Sequence, residues 1–171
     1  MQLQQNHNGF EQLLRELVLR MSPKVLLNTT QVPLECPWQD QFSQSFRTIS
    51  SSVNLKMSVG SEFGQRAFLD LYIDGFQWGV ELIREGQGKR LEEHEGRFRR
   101  PDDGRYHGIP MQQYALLNST SKIPTPAVLN MYDNHVYHLV YNDTYTKVTV
   151  YQKEGAITDW DLIGHQGRTE H

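Results

Sequence analysis

The stretch that decides the fold runs Arg66-Ala-Phe-Leu-Asp-Leu-Tyr-Ile73, Asp74-Gly-Phe-Gln77, Trp78-Gly-Val-Glu-Leu-Ile-Arg84. Two runs rich in β-forming residues flank a short Asp-Gly turn, the signal of a β-hairpin. Strand side chains alternate between faces, which puts Ala67, Leu69, Leu71 and Ile73 on one apolar face and Phe68, Asp70 and Tyr72 on the other. Glu81, on the second strand, falls on the same side as Asp70. Two carboxylates converging from neighbouring strands make a hard-oxygen site suited to Mg²⁺. The same spacing also describes a solvated hairpin face carrying two ordinary acids, and spacing alone leaves both readings open.

Upstream of the hairpin, Phe10, Leu13, Leu14, Leu17, Val18 and Met21 recur at helical spacing, which predicts an amphipathic helix over 9–21. Ser22-Pro23 interrupts it, and Thr29 to Pro33 reads as a connector. A second helix is expected from about Leu34 to Ser50, with Trp38, Phe42, Phe46 and Ile49 as its apolar stripe. Val53 to Val59 reads as a strand and Gly60 to Gly64 as a turn. Downstream, a glycine-rich bend at Glu85–Lys89 leads into a short helix, Leu91–Phe98. A polar loop at Arg99–Gly108, a strand at Tyr114–Leu117 and a loop at Ser119–Pro126 follow. Val136–Tyr141 and Lys147–Tyr151 alternate as a hairpin around Asn142-Asp143. Helices and strands in this order indicate a mixed α/β or α+β fold.

A length of 171 residues suits one domain with a core that needs no disulfide staple. With 37% apolar and 22% charged residues the composition is globular rather than disordered. The net charge of −3 sets the chain apart from nucleic-acid binders that are basic overall, so any such binding must come from a local patch. The single cysteine, Cys36, excludes a disulfide framework and a cysteine zinc cluster, and reads as a small buried apolar residue. No secretory leader and no run of transmembrane length stands out, and the chain reads as soluble.

The most basic part is 89–105, with Lys89, Arg90, Arg97, Arg99, Arg100 and Arg105. Arg90, His94 and Arg97 stand at i, i+4 and i+7, one helical face, where two guanidinium groups and an imidazole suit a phosphate backbone. Glu92, Glu93 and Glu95 equally make this an ordinary self-neutralising surface helix. Glu35 and Gln39 lie one turn apart. Gln87-Gly-Lys89 lacks the glycine spacing of a P-loop, His135 and His138 lack the H-E-x-x-H pattern, and no serine lies in a G-x-S-x-G elbow.

The strings Gly64-Gln-Arg-Ala-Phe-Leu-Asp-Leu-Tyr-Ile73, Trp78-Gly-Val-Glu-Leu-Ile-Arg-Glu-Gly86 and Arg90-Leu-Glu-Glu-His-Glu-Gly-Arg-Phe98 occur in an order that resembles the nuclease-like domain of fungal Crinkler-type effectors. Glu35-Cys-Pro-Trp-Gln-Asp-Gln-Phe42 is similar to that domain's preceding helix, and Val136 to Asp143 and Val148 to Val150 to its closing strands. The resemblance covers 33–163, with 1–32 as a helical extension and 164–171 as a disordered tail. It implies the PD-(D/E)XK restriction-endonuclease-like superfamily and an αβββαβ core, a central mixed sheet flanked by helices.

The activity it implies is hydrolysis of DNA phosphodiesters with Mg²⁺, for which Mn²⁺ can substitute, in a secreted effector acting inside a host cell, in its nucleus, or in an intracellular protein. By the same resemblance Asp70 and Glu81 hold the metal with Glu35, and the Leu82 carbonyl completes its shell; beside it, His94 as a proton carrier and Arg84 as an electrostatic stabiliser are the residues expected to assist catalysis. Arg90, Arg97, Lys89 and Gln39 would meet the nucleic acid, and two copies would pair to cut both strands. One position departs from the pattern. The superfamily lysine two residues after the glutamate is Ile83 here, and Arg84 points to the opposite face and stays protonated. That departure supports the alternative, an inactive nuclease-like fold that binds DNA or a host protein. The P-loop NTPase domain and leader that often precede such domains are not in this sequence, which reads as an excised domain or a minimal relative.

Overall fold

Burial on both faces of one sheet organises the chain. A computed structural model describes residues 7–22, 36–53, 58–63, 67–99, 106, 108–153 and 155–162. The elements are α1 (His7–Leu19), α2 (Cys36–Val53), β1 (Ser58–Phe63), β2 (Ala67–Ile73), β3 (Trp78–Arg84), α3 (Gly88–Arg99), β4 (Gln113–Thr120), α4 (Pro126–Asn130), β5 (Val136–Tyr141), β6 (Lys147–Gln152) and β7 (Gly155–Asp161). The strands form one seven-stranded sheet in sequence order. β3 pairs in parallel with β4 and β4 with β5, while the other neighbours are antiparallel. Parallel neighbours need a crossover, and α3 and α4 supply the two required here. The fold is therefore mixed α+β, a mixed sheet with helices on both sides.

The larger core lies between α1, α2 and one face of the sheet. Leu13, Leu17, Phe42 and Phe46 meet Leu71, Ile73, Trp78 and Val80 there, all but excluded from solvent. Phe10 tilts against Trp78 with ring centroids 5.2 Å apart. On the opposite face, Leu91 of α3 packs with Ile83, Leu116, Tyr132 and Val136. A smaller cluster of Leu69, Tyr72, Tyr106 and Ile109 continues that side. No helix among the described residues is long and apolar enough to cross a membrane.

Several expectations are corrected. β1 runs through Gly60 to Phe63, where a turn was expected, because Ser61 and Phe63 pair with Leu69 and Ala67 of β2. The strand expected from Val53 begins only at Ser58, and Val53 closes α2. α3 starts at Gly88, three residues before its first apolar position, and β4 extends to Thr120. A short helix, α4, replaces the end of the expected 119–126 loop. Its start follows from Thr125, whose side chain accepts the Val128 N–H, and from Pro126 at the first helical position. The hairpin turn itself falls at Asp74–Gln77 as expected, and its left-handed position is Gln77 (φ 54°). The expected connector at 29–33, the last residue of the expected turn, Gly64, most of the 99–108 loop and the tail 164–171 lie outside the described residues.

Strict alternation also fails at one point in β2. Leu71 and Ile73 face the α1/α2 core, as expected, but Leu69 lies with Tyr72 on the other side. A Cβ placed on Gly79, opposite Tyr72, would come within 3.0 Å of Leu69 Cδ2 and 2.5 Å of Met111 Sδ. The β2–β3 pairing runs only from Ile73↔Trp78 to Leu71↔Val80. Beyond it β2 pairs only with β1 and β3 only with β4, so the sheet forks and β2 turns about its axis at Asp70.

Helix α1, expected as an extension ahead of the main domain, contributes Phe10, Leu13, Leu14, Leu17 and Val18 to the main core. Leu17→Ala should lower unfolding free energy by about 2–5 kcal/mol, the range for a fully buried leucine. Chemical denaturation checks this, and a loss below about 0.5 kcal/mol, typical of a surface position, would contradict it.

Candidate functional site at the fork between β2 and β3

Asp70 and Glu81 occupy facing positions one step beyond the last β2–β3 pair. Their side chains part from there. Asp70 Oδ1 accepts a hydrogen bond from Gln39 Nε2 of α2 at 2.9 Å, and Oδ2 accepts the Leu82 backbone N–H at 2.7 Å. The carboxylate thus takes the place of a missing strand partner for β3, on the side where α2 packs. Leu82 offers Asp70 its N–H; the resemblance had assigned its carbonyl to a metal.

Glu81 follows the regular alternation of β3 and faces α3. Its side chain is only 3% exposed. Oε1 receives Arg97 and lies 2.6 Å from His94 Nδ1, and Oε2 accepts the Tyr106 hydroxyl at 2.9 Å. Helical spacing places His94 and Arg97 on one face of α3, the face turned toward β3. Tyr106 is held in reach by its N–H, which donates to the Arg97 carbonyl, and by Phe98, whose ring lies 4.7 Å away and stacks in turn on Tyr114.

The electrostatics follow from this burial. Desolvation is the largest influence on Arg97 and would lower its pKa, but the charge of Glu81 together with the contacts to Tyr106 and Glu81 outweighs it, and the guanidinium is held above its ordinary value. Burial, then the Glu81 charge, pushes the Tyr106 phenol well above its usual range, so it stays a donor. A carboxylate with a guanidinium on one oxygen and a phenol on the other is a satisfied buried ion pair.

The other expected site residues scatter. Arg84 is buried on the α2 side, its guanidinium 5.4 Å from the centroid of the Trp38 ring, a cation–π contact away from Glu81. Arg90 donates to the Arg84 carbonyl at 3.1 Å, which fastens the start of α3 to the end of β3. Lys89 is highly exposed and pairs loosely with Glu93 at 3.6 Å. Gln39 meets Asp70 rather than open solvent. Ile83 is buried against Leu91, so an apolar contact stands where the superfamily lysine would be. Glu35 lies outside the described residues.

These positions do not fit a cation shared by Asp70 and Glu81. Each carboxylate has both oxygens engaged, and their helical partners, Gln39 of α2 for Asp70 and His94 and Arg97 of α3 for Glu81, lie on opposite sides of the sheet. Among the described residues no three acidic, histidine or cysteine side chains form a group that could hold a metal ion. Tyr106 went unnoticed in the sequence because it lies in a polar loop with no periodicity. The only signal for it was an aromatic residue two positions after Pro101-Asp-Asp-Gly104.

Comparisons of this chain with protein-family models, with curated proteins and with solved structures gave no match.

A double-mutant cycle with Glu81→Gln and Arg97→Met measures the buried pair directly. We expect a coupling of about 1–3 kcal/mol in denaturant unfolding. Additive single effects would mean that the pair contributes nothing to folding.

Proposed function

We propose that this chain is a nuclease-like fold of the Crinkler type that engages nucleic-acid phosphate without hydrolysing it. The fold part of the reading is supported by the run α2-β1-β2-β3-α3-β4, which spells αβββαβ, and by the fork that opens beside Asp70 and Glu81. The observation that carries the rest is the state of Glu81, which is buried and bound by Arg97, His94 and Tyr106. A glutamate so placed ties a strand to a helix. Buried Ile83 at the lysine position removes the other group that hydrolysis would require.

Phosphate engagement is assigned to the first turn of α3. Lys89 and Arg90 are exposed there, and no acidic residue shares that turn. A helix N-terminus favours an anion, and lysine and arginine strengthen that preference. The Lys89–Glu93 pair is exposed and costs little to exchange for a phosphate. Binding of this kind reads backbone charge and predicts little sequence preference.

The second reading is hydrolysis, which the facing positions of residues 70 and 81 at the fork favour. A plasmid assay with Mg²⁺ or Mn²⁺ separates the two. We expect no cleavage above that of Asp70→Asn and Glu81→Gln, and DNA retention that falls with salt and is lost when Lys89→Glu and Arg90→Glu are combined. Each phosphate contact removed should flatten the salt slope by about 1. Cleavage lost specifically in the folded Asp70 and Glu81 variants would establish the hydrolase. Absence of any DNA retention would overturn the nucleic-acid reading.

A further inference from the structure

The carboxyl ends of parallel strands leave a crevice where crossover helices begin, and ligands commonly bind there. Here β3 and β4 end at Arg84 and Thr120, and a cavity of about 310 Å³ opens beside them. Its wall includes Gly88 at the start of α3, Leu91, Lys122, Met131, Tyr132 and His138. The cavity lies apart from the Glu81 cluster, none of whose members lines it.

One buried donor in this wall has no acceptor. Asn118 Oδ1 accepts the Gly86 N–H at 2.9 Å, which fixes the orientation of the amide. Asn118 Nδ2 then donates to the Gly86 carbonyl at 3.0 Å and to His138 Nδ1 at 3.2 Å. His138 Nδ1 is therefore an acceptor, and the neutral ring carries its proton on Nε2. That Nε2–H is buried without a partner, on a residue only 2% exposed. Burial pushes the imidazole pKa down to about 4, so the ring is neutral near pH 7. An unanswered donor of this kind calls for an acceptor from outside the chain.

Two further features define that acceptor's carrier. The exposed large hydrophobic side chains among the described residues, Ile123 at 66% and Met131 at 55%, both belong to this cavity. At the same end stand Lys122 and the start of α3, whose first turn has no acid. Glu85 accepts the Ser121 N–H at 2.8 Å and so holds the loop that carries Lys122. The wall thus pairs an apolar ring-sized surface with a positive end and one directed donor.

We propose that this cavity binds a small organic anion carrying a flat ring. The ring packs on Leu91, Ile123, Met131 and Tyr132, an acceptor atom of the ring takes the His138 Nε2–H, and the anionic group lies at Lys122 and the α3 N-terminus. The size of the cavity suits a nucleoside monophosphate. The anionic group would share the first turn of α3 with the phosphate contact proposed above, whereas the His138 donor and the apolar wall belong to the cavity alone, so the test is read at His138 with no DNA present.

The test follows the His138 imidazole nitrogens by NMR while adenosine monophosphate is titrated into the full chain. We expect the Nε2 signal to move on saturation, Lys122→Ala to weaken binding about tenfold, and His138→Phe, which keeps ring volume but removes the donor, to weaken it about tenfold as well. Inorganic phosphate alone should leave Nε2 unmoved. A wild-type Nε2 signal that stays still at millimolar adenosine monophosphate would overturn the proposal. So would equal affinity in Lys122→Ala. The wild-type signal decides the matter even where the His138 variant fails to fold.

Discussion

The Glu81 carboxylate is the point at which the sheet, α3 and the segment at Tyr106 are joined. It sits on β3 and binds Arg97 and His94 from α3 and Tyr106 from the turn beyond. A buried charge of this kind is tolerated only while its partners remain, since removing one leaves the others uncompensated, at a cost of about 3–5 kcal/mol. The crossover helix is therefore locked to its strand by charge as well as by Leu91. The same bonds turn His94 and Arg97 inward and leave Lys89 and Arg90 of α3 exposed at its first turn.

The neighbouring carboxylate works differently. Asp70 supplies the acceptor for the Leu82 N–H just where β2 leaves β3, and Gln39 anchors it to α2. It closes an open sheet ladder in the way a side chain caps a helix end. The two acids that look alike in sequence thus hold two different junctions, one on each side of the sheet. The fork they flank and the crevice at the carboxyl ends of β3 and β4 are separate places with separate chemistry.

Much of the fold was legible because its signals are periodic. The α2 stripe of Trp38, Phe42, Phe46 and Ile49 and the alternation of 67–84 gave helix and hairpin directly. Short or irregular elements gave no such signal: α4 has five residues, fewer than two turns, and β7 mixes Thr158 and Asp159 with Ala156 and Trp160. The site was less legible than the fold. Alternation predicts Asp70 and Glu81 on one face, but it carries no information about where a ladder stops and a strand turns over. The partners of Glu81 were half visible, since the i, i+3 spacing of His94 and Arg97 placed them together without showing what they faced. The Asn118–His138 pair, joined across β4 and β5, depends on strand register, which no local pattern in the sequence supplies.

The central claim is that Glu81 is bound by Arg97, His94 and Tyr106 rather than held ready for a cation. Paramagnetic broadening by Mn²⁺ tests it most directly, read at the His94 and Tyr106 side chains and the Leu82 amide. The account predicts that sub-stoichiometric Mn²⁺ broadens these signals no more than those of exposed surface residues. Selective loss of all three, reversed by Mg²⁺, would place a divalent cation at the fork and contradict the account.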